Sequence, residues 1–174
     1  MGSVQSGELA PDALLNPYQH NGAYTDCFYV DLPGVVSQAA YVEAFYTTPV
    51  FKVERLILAA FALKPSTDLQ AKMLAHAQAE HYAAWSVEGR TPNQLLLCDF
   101  LGRTRSWLMT VVDESSASPV TRLYFGSAFV PAVDRASGRA SYGIAFHVLQ
   151  GFHRIYSRVL LKSAMSRLLS LQRG

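Results

Sequence analysis

His153 and Tyr156 are the first residues to weigh for chemistry. Both lie in GFHRIYSRVLLKSAMSRLL, residues 151–169, a stretch that is apolar and basic and holds no carboxylate. Helical spacing sets His153 at the flank of an apolar stripe, beside Leu149 and Leu160. An imidazole placed there serves as a general acid or base, or it hydrogen-bonds a neighbouring strand and fixes the helix. Asp99 is the third catalytic candidate, because it sits among Leu97, Cys98, Phe100 and Leu101. Its structural role would be a salt bridge to Arg103 or Arg105 across a turn at Gly102. Asp113 and Glu114 precede a Ser-rich turn and are expected in solvent. A binding site reads from the aromatics: Trp85, Trp107, Tyr124, Phe129, Phe152 and Tyr156, with Phe125, supply enough rings to wall an apolar pocket or to fill a core. His76 and Glu80, with His81 adjacent, have helical ligand spacing, but a metal site needs further donors and none accompanies them. No metal is expected. No cofactor is expected either, since there is no phosphate-binding glycine motif and no GxSxG elbow.

These residues need a scaffold, and the composition allows one of ordinary size. The chain has 174 residues, half of them hydrophobic and 16% charged, as for a globular domain with a sizeable core. The first 22 residues, rich in Gly, Pro, Asn and Ser, are expected as a flexible arm before a single domain over 23–174. They do not read as a secretory signal. No apolar run reaches the roughly 18 residues of a membrane span. Cys27 and Cys98 fit no disulfide framework or CxxC site, which suggests buried thiols in a cytoplasmic protein. The net charge of +2 is too small to imply nucleic acid as partner. Its distribution is uneven: after Asp134 no Asp or Glu occurs, while Arg135, Arg139, Arg154, Arg158, Lys162, Arg167 and Arg173 follow. Either this basic tail docks on an acidic body or it presents an anion-binding face.

The elements that would position the candidates follow from periodicity. In TDCFYVDLPG, residues 25–34, Cys27, Tyr29 and Asp31 alternate with Phe28, Val30 and Leu32, a strand stopped by Pro-Gly. Ser37 caps a helix beginning QAAYVEAFY. A second helix runs between Pro49 and Pro65, and a short one over 68–80. Four strands follow, HYAAWSVEGR, QLLLCDFLG, RTRSWLMTVVDE and VTRLYFGSAFVPAV, joined by short turns that favour antiparallel pairing. A long helix over 141–170 presents Ala145, Val148, Leu149, Phe152, Ile155, Tyr156, Val159 and Leu160 as a core-facing stripe. His147, Arg154, Arg158 and Lys162 lie opposite. Leu161, Met165 and Leu168 form a second apolar side, which either packs on the first helices or the arm, or makes a homodimer contact.

Strand, two helices, antiparallel strands and a long C-terminal helix resembles the α+β helix-grip fold of the SRPBCC superfamily, which holds START domains and polyketide cyclases. AYTDCFYVDLP at 23–33, TTPVFKVERLIL at 47–58, and Gly138-Arg139 followed by FHRIYSRVLLKSA at 152–164 resemble one bacterial family within it, domain of unknown function 2867. The resemblance implies a curved antiparallel sheet wrapped around the long helix, with an apolar cavity between them. It implies no catalytic residues. The function expected is binding of a small hydrophobic molecule in that cavity. The alternatives are a cyclase- or dehydratase-like enzyme using His153, Tyr156, Asp99 or Arg105, and a dimerising interaction module.

Overall fold

The computed structural model describes residues 2–52, 66–115, 117–133, 140–141 and 144–173, with the side chains of 132–153 left aside. A short helix, α1 (Asn16–His20), precedes strand β2 (Tyr24–Pro33), which follows the predicted alternation, burying Phe28, Val30 and Leu32 on one face. It ends at Pro33, with Gly34 at a φ of 88° that side-chain-bearing residues avoid. Ser37 caps α2 (Gln38–Tyr46) by accepting the Ala40 N–H at 3.2 Å. The chain is again helical over 49–52, and the rest of the helix expected before Pro65 lies outside the described residues. A reciprocal Thr67–Gln70 capping box starts α3 (Asp68–Ala75). This helix stops before the expected residue 80, because Ala77 takes a left-handed φ of 57°.

Short strands β1 (Gln5–Ser6) and β3 (His81–Tyr82) join β4 (Trp85–Thr91), β5 (Gln94–Asp99), β6 (Thr104–Asp113) and β7 (Val120–Phe129). With β2 they form one antiparallel seven-stranded sheet in the order β1-β2-β7-β6-β5-β4-β3. The stretch HYAAWSVEGR is two strands where one was expected, since Ala83 turns the chain at a φ of 52°. A separate pair, β8 (Ala132–Val133) and β9 (Ala140–Ser141), precedes α4 (Ile144–Leu171). The protein is therefore α+β, an open antiparallel sheet with a long C-terminal helix.

Both sheet faces carry buried residues. On the inner face α2, α3 and α4 cover Phe28, Val30, Leu95, Leu97, Leu108, Leu123 and Phe125. The outer face is covered by the N-terminal segment, whose Ala13 and Leu15 pack with Cys27, Leu96, Trp107, Met109 and Ala128. Composition alone reads this segment as an arm. In the structure β1 pairs with β2, and Gln94 stitches residues 12–14 to the sheet. Its Oε1 accepts Leu14 N–H and Trp107 Nε1–H, both at 2.9 Å, and its Nε2 donates to Asp12 O at 3.0 Å. Gly126 makes this layer possible, because a Cβ there would meet Trp107 Cε3 and Asp26 O at 2.9 Å.

Helix α4 keeps Tyr156 and Leu160 of the predicted stripe inward and leaves Ile155 and Val159 outside, and the side chains of Ala145, Val148, Leu149 and Phe152 lie outside the described residues. Ile155 and Val159 are 66% and 43% exposed, whereas Ser157, Leu161, Ala164, Met165 and Leu168 are buried. Small Ser157 and Ala164, both 0% exposed, lie on this buried side with the larger apolar residues. Leu161, Met165 and Leu168 thus belong to the same core cluster as α2, and they are unavailable for the homodimer contact considered for them.

Candidate functional site

The inner face does not close completely. Near the ends of β4, β6 and β7 it leaves a pocket of about 160 Å³ under α4. Its walls are mostly rings: Phe45 and Tyr46 from α2, Phe51, Trp85 from β4, Phe125 and Phe129 from β7, with Tyr156 and Leu160 from α4. Strand alternation explains why rings face the helices here. Phe125, Ser127 and Phe129 share one side of β7, and Thr104 and Ser106 share the same side of β6. The volume is below the roughly 300–1,000 Å³ common for ligand pockets. It is close to the roughly 150 Å³ of a dry engineered cavity that accepts benzene.

Polar groups enter this apolar wall at few points. Asp26, Ser127 and Ser106 are register partners across β2, β7 and β6, so their side chains form one row on the inner face. Tyr46 and Ser106 share a hydroxyl–hydroxyl hydrogen bond at 3.3 Å, and Tyr82 Oη donates to Tyr46 O at 3.3 Å. Asp26 stands behind the wall, its Oδ1 accepting the Ser127 N–H at 3.0 Å and its carboxylate also the Ser127 hydroxyl. Burial pushes this carboxyl up to about 6, against the opposing pull of the Ser127 bonds and the Arg154 charge. Trp85 lines the pocket, and its Nε1–H, buried away from the open volume, has no hydrogen-bond partner among the described residues. No family model, no curated protein and no solved structure matches this chain. The site is therefore read from its own geometry.

Of the predicted binding residues, Trp85, Phe129 and Tyr156 meet at the pocket. Trp107 and Tyr124 lie on the opposite face of the sheet, their rings 5.9 Å apart under the N-terminal segment. The side chains of Phe152 and His153 lie outside the described residues. Among the described residues Asp99 reaches no guanidinium. Its Oδ1 accepts the backbone N–H of Arg103 at 2.7 Å and of Thr104 at 2.9 Å, closing the Gly102 turn. Arg105 borders the pocket, but its guanidinium points outward to Tyr18 Oη and Glu88 Oε2, both at 2.9 Å, and to Gly102 O. Tyr18 Oη also donates to Glu88. His76 follows the end of α3, and His81 Nδ1 shares a hydrogen bond with Ser86 Oγ at 3.1 Å. Among the described residues no three His, Cys, Asp or Glu side chains gather as a metal site, and no helix is long and apolar enough to cross a membrane.

Sequence reasoning passed over Asp26, Ser106 and Ser127. Their signal was present: the alternation that turns Phe28, Val30 and Leu32 inward turns Asp26 inward too, and a carboxylate on a core-facing strand position is unusual.

Proposed function

We propose that this protein binds a small, single-ring hydrophobic molecule bearing a hydrogen-bond acceptor, in the pocket between sheet and C-terminal helix. The carrying observation is the aromatic pocket of about 160 Å³ lined by Trp85, whose buried Nε1–H has no hydrogen-bond partner among the described residues. The volume accommodates one ring, the walls favour an apolar one, and a small rotation of the Trp85 ring would offer its unmet N–H to a carbonyl or ether oxygen. Element order and the helix lying on one face of an open antiparallel sheet support reading the architecture as a helix-grip of the SRPBCC kind. Calorimetric titration with acetophenone and its hydrocarbon counterpart ethylbenzene tests the reading. One net hydrogen bond is worth about 0.5–1.5 kcal/mol, so acetophenone is expected to bind about twofold to tenfold tighter. Trp85→Phe should erase that preference, and Ser106→Leu should fill the pocket and abolish both. Failure of either compound to bind at millimolar concentration refutes the proposal.

A second reading, a cyclase- or dehydratase-like enzyme on the same fold, is favoured by one observation. Asp26 titrates near 6 and bonds the Ser127 hydroxyl, which itself lines the pocket. A carboxyl so tuned exchanges protons close to neutral pH. Turnover of a bound ketone that rises through pH 6 and vanishes in Asp26→Asn would establish it. Binding without turnover in any condition would leave the binding role alone.

A further inference from the structure

Outside the pocket, α4 and the N-terminal segment enclose a second concavity, a surface groove of about 520 Å³. One wall is Ile155 and Val159, a turn apart on α4 and both turned away from the core. The other is Gly2, Ser3 and Val4. Gly2 rests so close on β2 that a Cβ there would lie 2.9 Å from Asp31 O and 3.3 Å from Val30 Cγ2, so this wall is set directly on the sheet. Met165 reaches the base. Large apolar side chains left in water beside a concavity mark a binding surface. The rim is cationic: Arg158 and Lys162, each three residues beyond one of the exposed aliphatics, border the groove, and no carboxylate lines it among the described residues. The Asp31 carboxylate, on the neighbouring strand, is held by Arg122 through two bonds of 2.7 and 2.8 Å. Neither Arg158 nor Lys162 forms an ion pair among the described residues, and Arg158 instead lies over the Phe28 ring, 5.4 Å from its centroid. An apolar channel with unneutralised cations at its edge is complementary to one type of molecule, a chain with a negative head.

We propose that this groove binds a free long-chain carboxylate, the alkyl chain along Ile155, Val159 and Val4 and the carboxylate on Arg158 and Lys162. The site is separate from the aromatic pocket. It differs in shape, being an open channel of about 520 Å³ where the pocket holds one ring. It accounts for the exposed aliphatics and the acid-free basic face of α4 together.

Calorimetric titration of the full chain with octanoate, decanoate and dodecanoate, each below its micellar concentration, tests the proposal. Burial of a methylene is worth about 0.8 kcal/mol, so each added methylene is expected to tighten binding by up to about fourfold until the groove is full. Decan-1-ol should bind at least tenfold more weakly than decanoate. Val159→Asp and the double variant Arg158→Ala/Lys162→Ala change exposed positions, so the fold should survive, as circular dichroism would check. Each should cost tenfold or more in dodecanoate affinity. Trp85→Phe should leave that affinity unchanged. Affinity independent of chain length, or unaffected by Val159→Asp, overturns the proposal. So does loss of binding in Trp85→Phe, which would move the ligand to the inner pocket. Binding to phosphatidylglycerol vesicles without binding of dodecanoate also overturns it, and would make the face a membrane contact.

Discussion

Replacing Asp26 with Asn is expected to stabilise this protein at neutral pH, because the native carboxyl resists ionisation where it stands. Burial raises it from 3.8 to about 6. Between those values the folded chain holds a proton that the unfolded chain has released, so stability falls as pH rises through this window and levels off above it. At about 1.36 kcal/mol per unit, the gap of about two units sets a ceiling of about 3 kcal/mol. Asp26 keeps some contact with solvent, which screens the effect and brings the expected cost to about 1–2 kcal/mol. Asn keeps an Oδ1 acceptor for the Ser127 N–H and carries no charge at any pH. Urea unfolding of both proteins from pH 3.5 to pH 8 checks this. Asp26→Asn should match the native chain near pH 3.5 and exceed it by about 1–2 kcal/mol at pH 7.5. At about 2–4 °C per kcal/mol for a chain of this size, the difference is also visible in thermal scans. A pH-independent difference, or a less stable Asn variant at pH 7.5, would refute the reasoning and show that the pull of Arg154 and Ser127 outweighs burial.

Three further outcomes follow from the packing. Leu161→Ala should cost about 2–5 kcal/mol in urea unfolding as a buried truncation, while Ile155→Ala should stay within about 0.5 kcal/mol; equal costs would contradict the inward face assigned to α4. Gln94→Leu leaves Trp107 Nε1 and Leu14 N unpaired, so it should lose about 2–4 kcal/mol and shift Trp107 fluorescence, and an unchanged spectrum would count against the bridge. Gly126→Ala forces a Cβ to within 2.9 Å of Trp107 and of the Asp26 carbonyl, and guanidinium unfolding should show a loss of about 1–3 kcal/mol.

The strands were legible because their two faces differ in what they touch. In β2 the apolar residues fall at every second position, and Ser37 and Pro33-Gly34 punctuate the chain where the structure turns. The face of α4 was legible in part: Leu160, Leu161, Met165 and Leu168 pack inward as their spacing allows, whereas Ile155 and Val159 are as apolar yet exposed, so spacing alone could not place the edge of the buried arc. The role of residues 2–22 was hidden for a related reason. Leu9, Leu14, Leu15 and Tyr18 follow no period, since a segment laid across a sheet has none to obey. The complement was readable in β6, where Trp107 and Met109 on one side and Leu108 on the other are both apolar. A strand that is apolar on both faces expects cover on both. For the pocket, Trp85, Phe129 and Tyr156 were recognisable as aromatics, but alternation alone could not assign Trp107 and Tyr124 to the inner or outer layer.

An open sheet seven strands wide ends in two rims, and each rim here is a strand of two residues, β1 and β3. Long bare rims invite another chain to add itself, and very short ones give it little to grip. Behind β1 stands β2, ten residues of paired backbone whose far side would become such a rim if residues 2–8 were cut away. The same few residues that pair with Cys27, Phe28 and Tyr29 thus shorten the bare edge of β2 on which a second copy could continue the sheet.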